Sequence, residues 1–178
     1  GDMTTTVNNT SEVVQSGTTI SIDAMGGDLG PAAVVAGIVR VAQKNKNIHF
    51  LLHGQEEQLQ KLVAKRQSLK GRVTIIDSLE VIKMEDKPSH VVRHGKATSM
   101  WSAIDSVRDG DASVCVSCGN TGALMAISMV RLRKLNGVNR PAIAILWPSS
   151  NPMGFNVMLD VGADVRADPK DLLQYALM

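Results

Sequence analysis

The chain has 178 residues, of which 44% are hydrophobic and only 3% are aromatic, and its 19 basic and 17 acidic residues give a net charge of +2. This near-neutral balance and the scarcity of aromatic side chains argue against a nucleic-acid-binding protein, which needs basic patches and stacking surfaces. No apolar run approaches the roughly 18 residues of a membrane-spanning helix, and the N-terminus lacks the basic and apolar segments of a secretory signal, so we expect a soluble protein.

The chain divides into a short tail and one folded region. Residues 1–17 are polar and rich in Thr, Asn and Ser without lasting periodicity, which predicts a mobile tail. Residues 18–178 are long enough for one domain, because a chain of this size buries about 70% of the surface that its unfolded form exposes. Two cysteines without a secretory signal favour a reducing compartment over a disulfide framework.

Predicted strands and helices alternate along residues 18–178. Short apolar runs bounded by turn residues predict strands at 18–23, 48–52, 73–76, 114–117, 142–146 and 157–161. Apolar residues at helical spacing predict helices at 31–43, 56–67, 89–94, 98–108 and 122–135, and a last helix that begins at Pro169. The segment 147–154, with two prolines and a glycine, predicts a turn-rich connection. The alternation indicates an α/β fold, a three-layer α/β/α sandwich around a mainly parallel sheet with right-handed crossovers.

Two of the predicted strands run into glycine-rich turns that open helices. The first turn reads Asp-Ala-Met-Gly-Gly-Asp from Asp23, and the second reads Cys-Gly-Asn-Thr-Gly from Cys118. Helix-opening N–H groups lack intrahelical partners and the helix dipole is positive at that end, so each turn can hold a phosphate by its backbone alone. The carboxyl ends of parallel strands share one edge of a sheet. We therefore expect both turns, the Arg93 segment and the turn at 160–164 to line one cleft.

Each turn alone is weak evidence for a ligand. Neither matches the dinucleotide fingerprint or the phosphate-binding loop of nucleotide hydrolases, because G-x-G-x-x-G and Gly-Lys-Ser/Thr are absent from both. Glycine-rich turns between a strand and a helix are often only tight connections, and that interpretation stays open here. The strings Asp-Ala-Met-Gly-Gly-Asp and Ser-Cys-Gly-Asn-Thr-Gly-Ala-Leu-Met are nevertheless unusual within one chain.

The two strings resemble those of the phosphate acyltransferases of the PlsX family, the acyl-ACP:phosphate transacylases of bacterial phospholipid synthesis. The resemblance extends over roughly residues 19–178. Outside the two strings it is carried by Ser89, Arg93, Thr98-Ser99-Met100 and the segments 137–142 and 159–164. Because family members are longer, the resemblance implies that residues 18–178 are the N-terminal part of such a domain, truncated at its C-terminus. Two positions depart from the family pattern: Asp164 stands where Asn is usual, and Cys118 stands where Ala is usual.

The resemblance implies a reaction, a fold and a location. Enzymes of this family move a fatty acyl group from the thioester of acyl carrier protein to inorganic phosphate, which gives acyl phosphate and a free thiol. Their fold is similar to that of isocitrate and isopropylmalate dehydrogenases, and they are homodimers in the cytoplasm that touch the inner membrane face peripherally. The reaction mainly needs positioning of the reactants and stabilisation of an oxyanion, so we expect neither a metal nor another cofactor.

Site residues follow from the resemblance and from the chemistry of the side chains. Catalytic roles are assigned to Asn120 and Thr121, which would hold phosphate or the oxyanion, to Asp23, which would orient the donor or accept a proton, and to Arg93, which would clamp an anion. Substrate-binding roles are assigned to the glycines of both turns and to nearby polar residues, namely Gly26, Gly27, Asp28, Lys96, Ser99, Ser117, Gly119, Gly122, Asp160 and Asp164.

Ordinary structural roles stay open for several of these side chains. Asp23 and Asp28 also suit a turn and a helix cap. Arg93 and Lys96 also suit a charged loop that is simply solvated, and His94 is expected to be a surface residue.

Two further clusters have alternative interpretations. Cys115 and Cys118, with His90 and His94, have the side-chain types of a zinc site, but the strand period makes Cys115 a small buried residue and disfavours a redox motif. Four cations near the end of helix 122–135 complement the helix dipole or form a landing surface for the acidic acyl carrier protein, and they are Arg131, Arg133, Lys134 and Arg140.

Two other functions remain open for the chain as a whole. A phosphotransacetylase-type enzyme that uses acyl-CoA would share the phosphate cradle and differ in its donor. A catalytically silent phosphate- or nucleotide-binding module would keep the cradle without the chemistry.

Overall fold

The computed structural model of the protein describes residues 17–134, 136–138, 142–160, 166 and 168–178. Its main sheet has four parallel strands in the order β3-β2-β1-β4, and these are β1 Thr18–Asp23, β2 Ile48–Gly54, β3 Val73–Asp77 and β4 Val114–Ser117. The helices within these residues are α1 Gly30–Lys44, α2 Glu56–Ala64, α3 Pro88–His94, α4 Ser99–Arg108, α5 Thr121–Arg131 and α6 Pro169–Leu177. The predicted α/β class and the parallel pairing are confirmed.

Alternate residues of each strand face opposite helical layers, because the side-chain period of a strand is two. The core on one face joins the sheet to α1 and α2 and contains Ile22, Val35, Ile38, Phe50, Leu52 and Leu59. The core on the other face joins α3, α4 and α5 and contains Val91, Met100, Trp101, Ile104 and Ile127. The arrangement is a three-layer α/β/α sandwich.

Helix α1 illustrates how local sequence sets the ends of an element. Pro31 lies in the first turn, where a missing N–H costs nothing. At the other end, the Arg72 guanidinium donates to the Ala42 carbonyl at 2.6 Å and also to the Asn45 carbonyl. Arg72 therefore provides partners for carbonyls that the helix itself cannot satisfy.

A histidine lies completely buried beneath α4. The Ser21 hydroxyl donates to the Ala103 carbonyl at 2.7 Å, so its oxygen accepts from His53 Nε2 at 3.0 Å. The other ring nitrogen, Nδ1, then accepts from the Ser102 hydroxyl at 2.7 Å. Burial lowers the pKa of His53 from 6.5 to about 4. Because the neutral ring already has partners on both nitrogens, this network favours an uncharged His53.

The two last strands correct the prediction for the C-terminal part of the chain. They were expected at 142–146 and 157–161 as members of the mainly parallel sheet. The structure instead has β5 Ala144–Pro148 and β6 Phe155–Leu159, paired antiparallel in a separate two-stranded sheet. A short connection joins antiparallel neighbours directly, whereas a parallel pair needs a long crossover, so the segment 149–154 favours a hairpin.

Smaller differences concern the ends of helices. The helix predicted at 56–67 ends at Ala64 and is followed by a single 3₁₀ turn, Gln67–Leu69. The helix predicted to reach residue 135 ends at Arg131. The predicted tail lies outside the described residues except for its last position, and so does residue 135. No helix within the described ranges is both long enough and apolar enough to cross a membrane.

Candidate active site

The two glycine turns touch at the carboxyl edge of the parallel sheet. β1 and β4 are neighbours in register, with Asp23 opposite Ser117, so both turns leave the sheet side by side. A Cβ added at Gly26 would lie 2.9 Å from Gly119 N and 2.6 Å from Asp23 Oδ2. No side chain fits at that distance, and the close approach of the two backbones therefore requires glycine at position 26. The expectation that the turns share one edge is confirmed.

Asp23 holds the two turns together from below. Its carboxylate is buried and accepts the Ser99 hydroxyl at 2.6 Å on Oδ1 and the Ser117 hydroxyl at 2.7 Å on Oδ2. Ser117 Oγ in turn accepts the N–H of Gly119 at 3.1 Å. The chain of bonds runs from α4 through the end of β1 to the second turn. The polar atoms of Asp23, Ser99 and Ser117 are thus engaged with one another, and the catalytic and binding roles predicted for these residues stay predictions.

The Asn120 side chain is likewise engaged with the protein. Its Oδ1 accepts the N–H of Ala123 at 3.0 Å and so caps α5. Its Nδ2 lies within hydrogen-bond distance of three backbone carbonyls, those of Lys83, Met84 and Asp86, at 2.9–3.1 Å. These contacts engage the amide within the protein, and the predicted use of Asn120 to hold phosphate stays a prediction. Asn120 anchors the charged connection before α3 against the second turn.

Backbone N–H groups supply the remaining donors of the site. In the described part of the chain, the N–H groups of Gly26, Gly27, Asn120, Thr121 and Gly122 have no acceptor. Those of Thr121 and Gly122 belong to the first turn of α5, where the helix dipole is positive. The two turns thus present donors that can bind an anion without a charged side chain.

Arg93 and Lys96, which were predicted to clamp an anion, lie on a different element from the two glycine turns. α3 packs against α5, and Pro88 at its start lies beside Gly122, with Cγ 2.9 Å from an added Cβ there. Arg93 is at the far end of α3 and Lys96 follows it, and both are exposed. Asp28 and Thr121, also predicted for the site, are exposed at the turns themselves. The positions of Arg93 and Lys96 do not place them against the glycine turns, so their role stays a prediction.

Asp160 lies in a different environment from the one expected. It directly follows β6 of the hairpin, so it does not follow a strand of the parallel sheet. Its Oδ1 accepts the N–H of Ile143 at 2.7 Å and its Oδ2 accepts the Tyr175 hydroxyl at 3.0 Å, which ties the hairpin to α6. These contacts give Asp160 a local structural role, and its predicted role in substrate binding stays a prediction. Asp164 lies outside the described residues.

The two cysteines lie in contrasting environments. Burial, with a further contribution from the charge of Asp23, raises the pKa of Cys115 to about 12, and this side chain packs against the α4 core. Cys118 is exposed beside Gly27, where an added Cβ would be 3.0 Å from Cys118 Cβ. Cys115 is thus partly buried against this core, where the strand period predicted a buried side chain.

One of the four cations predicted near the end of α5, Arg131, is engaged in contacts within the protein. The Arg131 guanidinium donates to both carboxylate oxygens of Asp105, at 2.7 and 3.2 Å, and lies 5.6 Å from the ring centroid of Trp101. Arg133 and Lys134 are exposed, and Arg140 is outside the described residues. Arg131 therefore joins α5 to α4, and the landing surface stays a prediction for the other cations.

Sequence reasoning missed the partner of the second turn. The carbonyls that accept from Asn120 belong to residues 83–86, a segment between β3 and α3 for which the sequence predicted no helix or strand. The bonds between Lys83 and Asp86 close this segment into a compact turn, with Lys83 N donating to Asp86 Oδ2 at 2.9 Å. Asparagine is a common N-cap residue, but the local sequence around Asn120 does not indicate that its side chain also contacts residues 83–86.

Comparison with known proteins gives consistent matches. The profile of a family described as fatty acid synthesis protein matches residues 18–178. The phosphate acyltransferase of Ruegeria sp. (strain TM1040) is 73% identical over 161 residues, which are 90% of this chain and 43% of that relative. The phosphate acyltransferases of Dinoroseobacter shibae and Paracoccus denitrificans are 68% and 64% identical over 92% and 91% of the chain. The chain spans 42% and 44% of those two relatives, so less than half of their length.

Proposed function

Because the chain belongs to the family of fatty acid synthesis proteins, we propose that it contributes the phosphate-binding edge of an acyltransferase. The proposed reaction moves a fatty acyl group from the thioester of acyl carrier protein to inorganic phosphate. The observation that carries this proposal is the contact of two glycine turns, at which the described residues leave five backbone N–H groups without acceptors. The names of the similar proteins support an acyl transfer that involves phosphate.

The chemistry requires little beyond this arrangement. A phosphate oxygen attacks the thioester carbonyl carbon, a tetrahedral oxyanion forms, and the carbon–sulfur bond then breaks to release a thiolate that takes up a proton. Phosphate is already anionic near neutral pH, so the protein mainly has to hold it close and stabilise the developing oxyanion. Backbone N–H groups fixed by the Asp23 and Asn120 networks are suited to both tasks, since they need no rearrangement when charge develops.

The proposal is tested by following thiol release. Phosphate-dependent release of thiol from long-chain acyl carrier protein, without release from acetyl-CoA, is the expected result. Release from acetyl-CoA would instead favour the phosphotransacetylase type. Phosphate binding without thiol release from either donor would favour the silent binding module. Calorimetric titration with inorganic phosphate gives the binding half of the test, and absence of any phosphate binding would contradict all three functions.

The assembly and location implied by the resemblance stay predictions. They comprise a homodimer, a cytoplasmic location and peripheral contact with the membrane that receives the product. Size measurement in solution and a vesicle flotation assay would test them.

A further inference from the structure

An apolar groove runs from the two glycine turns along one side of α1. Its volume is about 520 Å³, within the range of small-molecule sites. The walls come from α1 and from the strand faces that α1 leaves uncovered, and they include Ala33, Gly37, Val41, Ile20, Ile22 and Val116. At one end the lining changes to Gly26, Gly27, Asp28 and Cys118 of the two turns. The groove therefore joins an apolar channel to the donors of the candidate active site.

Gly37 leaves this groove wider than an ordinary helix would. It lies in the interior of α1, where glycine is less favourable than alanine. A Cβ added there would meet no atom within 4 Å, so no close contact among the described residues explains the glycine. The space beside Gly37 is open and apolar, and an occupant of the groove would use it.

The opposite side of the turns is filled. An added Cβ at Gly119 would be 3.1 Å from Met100 Cε, and Ser99 occupies one oxygen of Asp23. Met100 belongs to the buried core beneath α4. An apolar chain attached to a carbonyl group at the turns is therefore blocked on the α4 side, whereas the α1 side offers it an open apolar path.

We infer that the groove along α1 binds the fatty acyl chain of the substrate. This inference rests on the proposed function, because that function places the reacting carbonyl carbon at the turns. A saturated chain matches the lining, since it has no polar groups to satisfy beyond its carboxyl end and gains affinity with each methylene removed from water. Gly37 would then widen the channel where the chain passes the helix.

Three ligands test the inference on the purified chain by isothermal titration calorimetry: inorganic phosphate, butyl phosphate and octyl phosphate, all below micellar concentrations. Burial of a methylene improves affinity by about fourfold, so octyl phosphate is expected to bind at least about tenfold more tightly than butyl phosphate. Gly37→Phe fills the groove and is expected to reduce this gain to less than about threefold. Ala36→Phe adds the same ring at an exposed neighbouring position outside the lining and is expected to keep the full gain.

Circular dichroism and light scattering accompany each variant. If Gly37→Phe fails to fold, Ala33→Phe blocks the same face of α1 one turn earlier. The inference of an acyl-chain groove is overturned if the wild type binds octyl phosphate no more tightly than butyl phosphate. It is also overturned if the blocked variants keep the full difference in affinity, even if inorganic phosphate binds. A groove that instead mediates self-association would appear as a dimer lost in Gly37→Phe without any chain-length gain. The protein could also fail to bind inorganic phosphate and still bind octanol more tightly than butanol by the same factor. That result would contradict the proposed function and support the groove.

Discussion

Asp23 is a buried carboxylate that ends a strand directly beneath two helix-opening turns. Its negative charge is stabilised by the hydroxyls of Ser99 and Ser117 and by the N–H of Met25 at 3.3 Å, without a cation among the described residues in contact with it. The sequence predicted that Asp23 lies where β1 meets the first glycine turn. Its serine partners were not evident from the sequence, because Ser99 lies on a helix 76 residues further along the chain.

Asp23→Ala is expected to lower the free energy of unfolding by about 1–3 kcal/mol, because the buried Ser99 hydroxyl and the partly buried Ser117 hydroxyl lose their acceptor. Phosphate affinity should fall in parallel, since the two turns lose the group that joins them. Urea unfolding and phosphate titration measure these effects. Asp28→Ala removes an exposed carboxylate from the same turn and is expected to change stability by less than about 0.5 kcal/mol. Equal stability of the two variants would contradict the positioning role of Asp23.

His53 is expected to make the fold sensitive to acid. Its pKa is about 4 in the folded state and 6.5 in the unfolded state, so the folded state disfavours the proton. The stability that the neutral ring contributes is complete above pH 6.5 and is lost as the pH falls from 6.5 to 4. The loss amounts to about 3 kcal/mol, because each tenfold difference in proton affinity corresponds to 1.36 kcal/mol.

The measurement is urea unfolding at several pH values. His53→Gln should show a smaller loss of stability between pH 6.5 and 4 than the wild type, whatever its stability at pH 7. His49→Gln, which changes a histidine that contacts Thr74 at the surface, should keep the wild-type loss. An identical acid-dependent loss in His53→Gln would show that other groups control the effect.

At the scale of elements, the beginning of α5 determines the shape of the second turn. Asn120 both caps this helix and anchors the segment 83–86, so one side chain connects two elements that are far apart in the chain. The sequence predicted the strand, the turn and the helix because each has a local pattern. The anchoring could not be predicted, since a connection without periodicity carries no signal of where it packs.

Asn120→Ser is expected to separate the two tasks of this side chain. Serine still caps a helix but is too short to reach the carbonyls of residues 83–86. We expect a loss of about 0.5–1.5 kcal/mol in the free energy of unfolding, because three backbone carbonyls of this segment lose their donor. Backbone hydrogen exchange at residues 83–86 should also become faster. Thr121→Val, which removes an exposed hydroxyl from the next residue, is the matched control and should leave exchange there unchanged.

The hairpin of β5 and β6 shows that the sequence of each strand by itself does not predict which strand it pairs with. Both strands were predicted, although their ends moved by two residues. The prediction of their pairing was wrong because the alternation of strands and helices was taken to indicate one mainly parallel sheet, whereas the connection 149–154 contains the Pro and Gly residues of a local reversal. Leu146 pairs with Val157 across this hairpin, and both are exposed.

At the scale of the whole molecule, the candidate site exists only because the connection after β3 crosses the sheet and places β4 beside β1. The first turn follows β1, and the second follows β4 about 95 residues later, yet the two backbones meet at Gly26 and Gly119. Parallel neighbours bring their carboxyl ends to the same edge, so the order β2-β1-β4 determines which turns can act together.

Gly26→Ala is expected to separate the turns and to weaken phosphate binding by at least about tenfold, because the added methyl group would overlap backbone atoms that cannot move freely. Chemical shift changes of the turn N–H groups during phosphate titration provide the measurement. Gly37→Ala offers a contrast in stability, since its methyl group meets open space and should stabilise α1 by about 0.5–1 kcal/mol. Wild-type phosphate affinity in Gly26→Ala would contradict a site that spans both turns.

The amino-acid sequence by itself determined the α/β class, the four parallel strands and the position of both glycine turns. These features depend on local periodicity, on turn residues and on the constant handedness of crossovers, all of which can be recognised within short segments. The tertiary structure alone decided which groups contact Asp23 and Asn120, that Asp160 follows the second strand of a hairpin, and that a groove opens along α1. These features arise from contacts between residues distant in the chain, and such contacts depend on how the elements pack against one another.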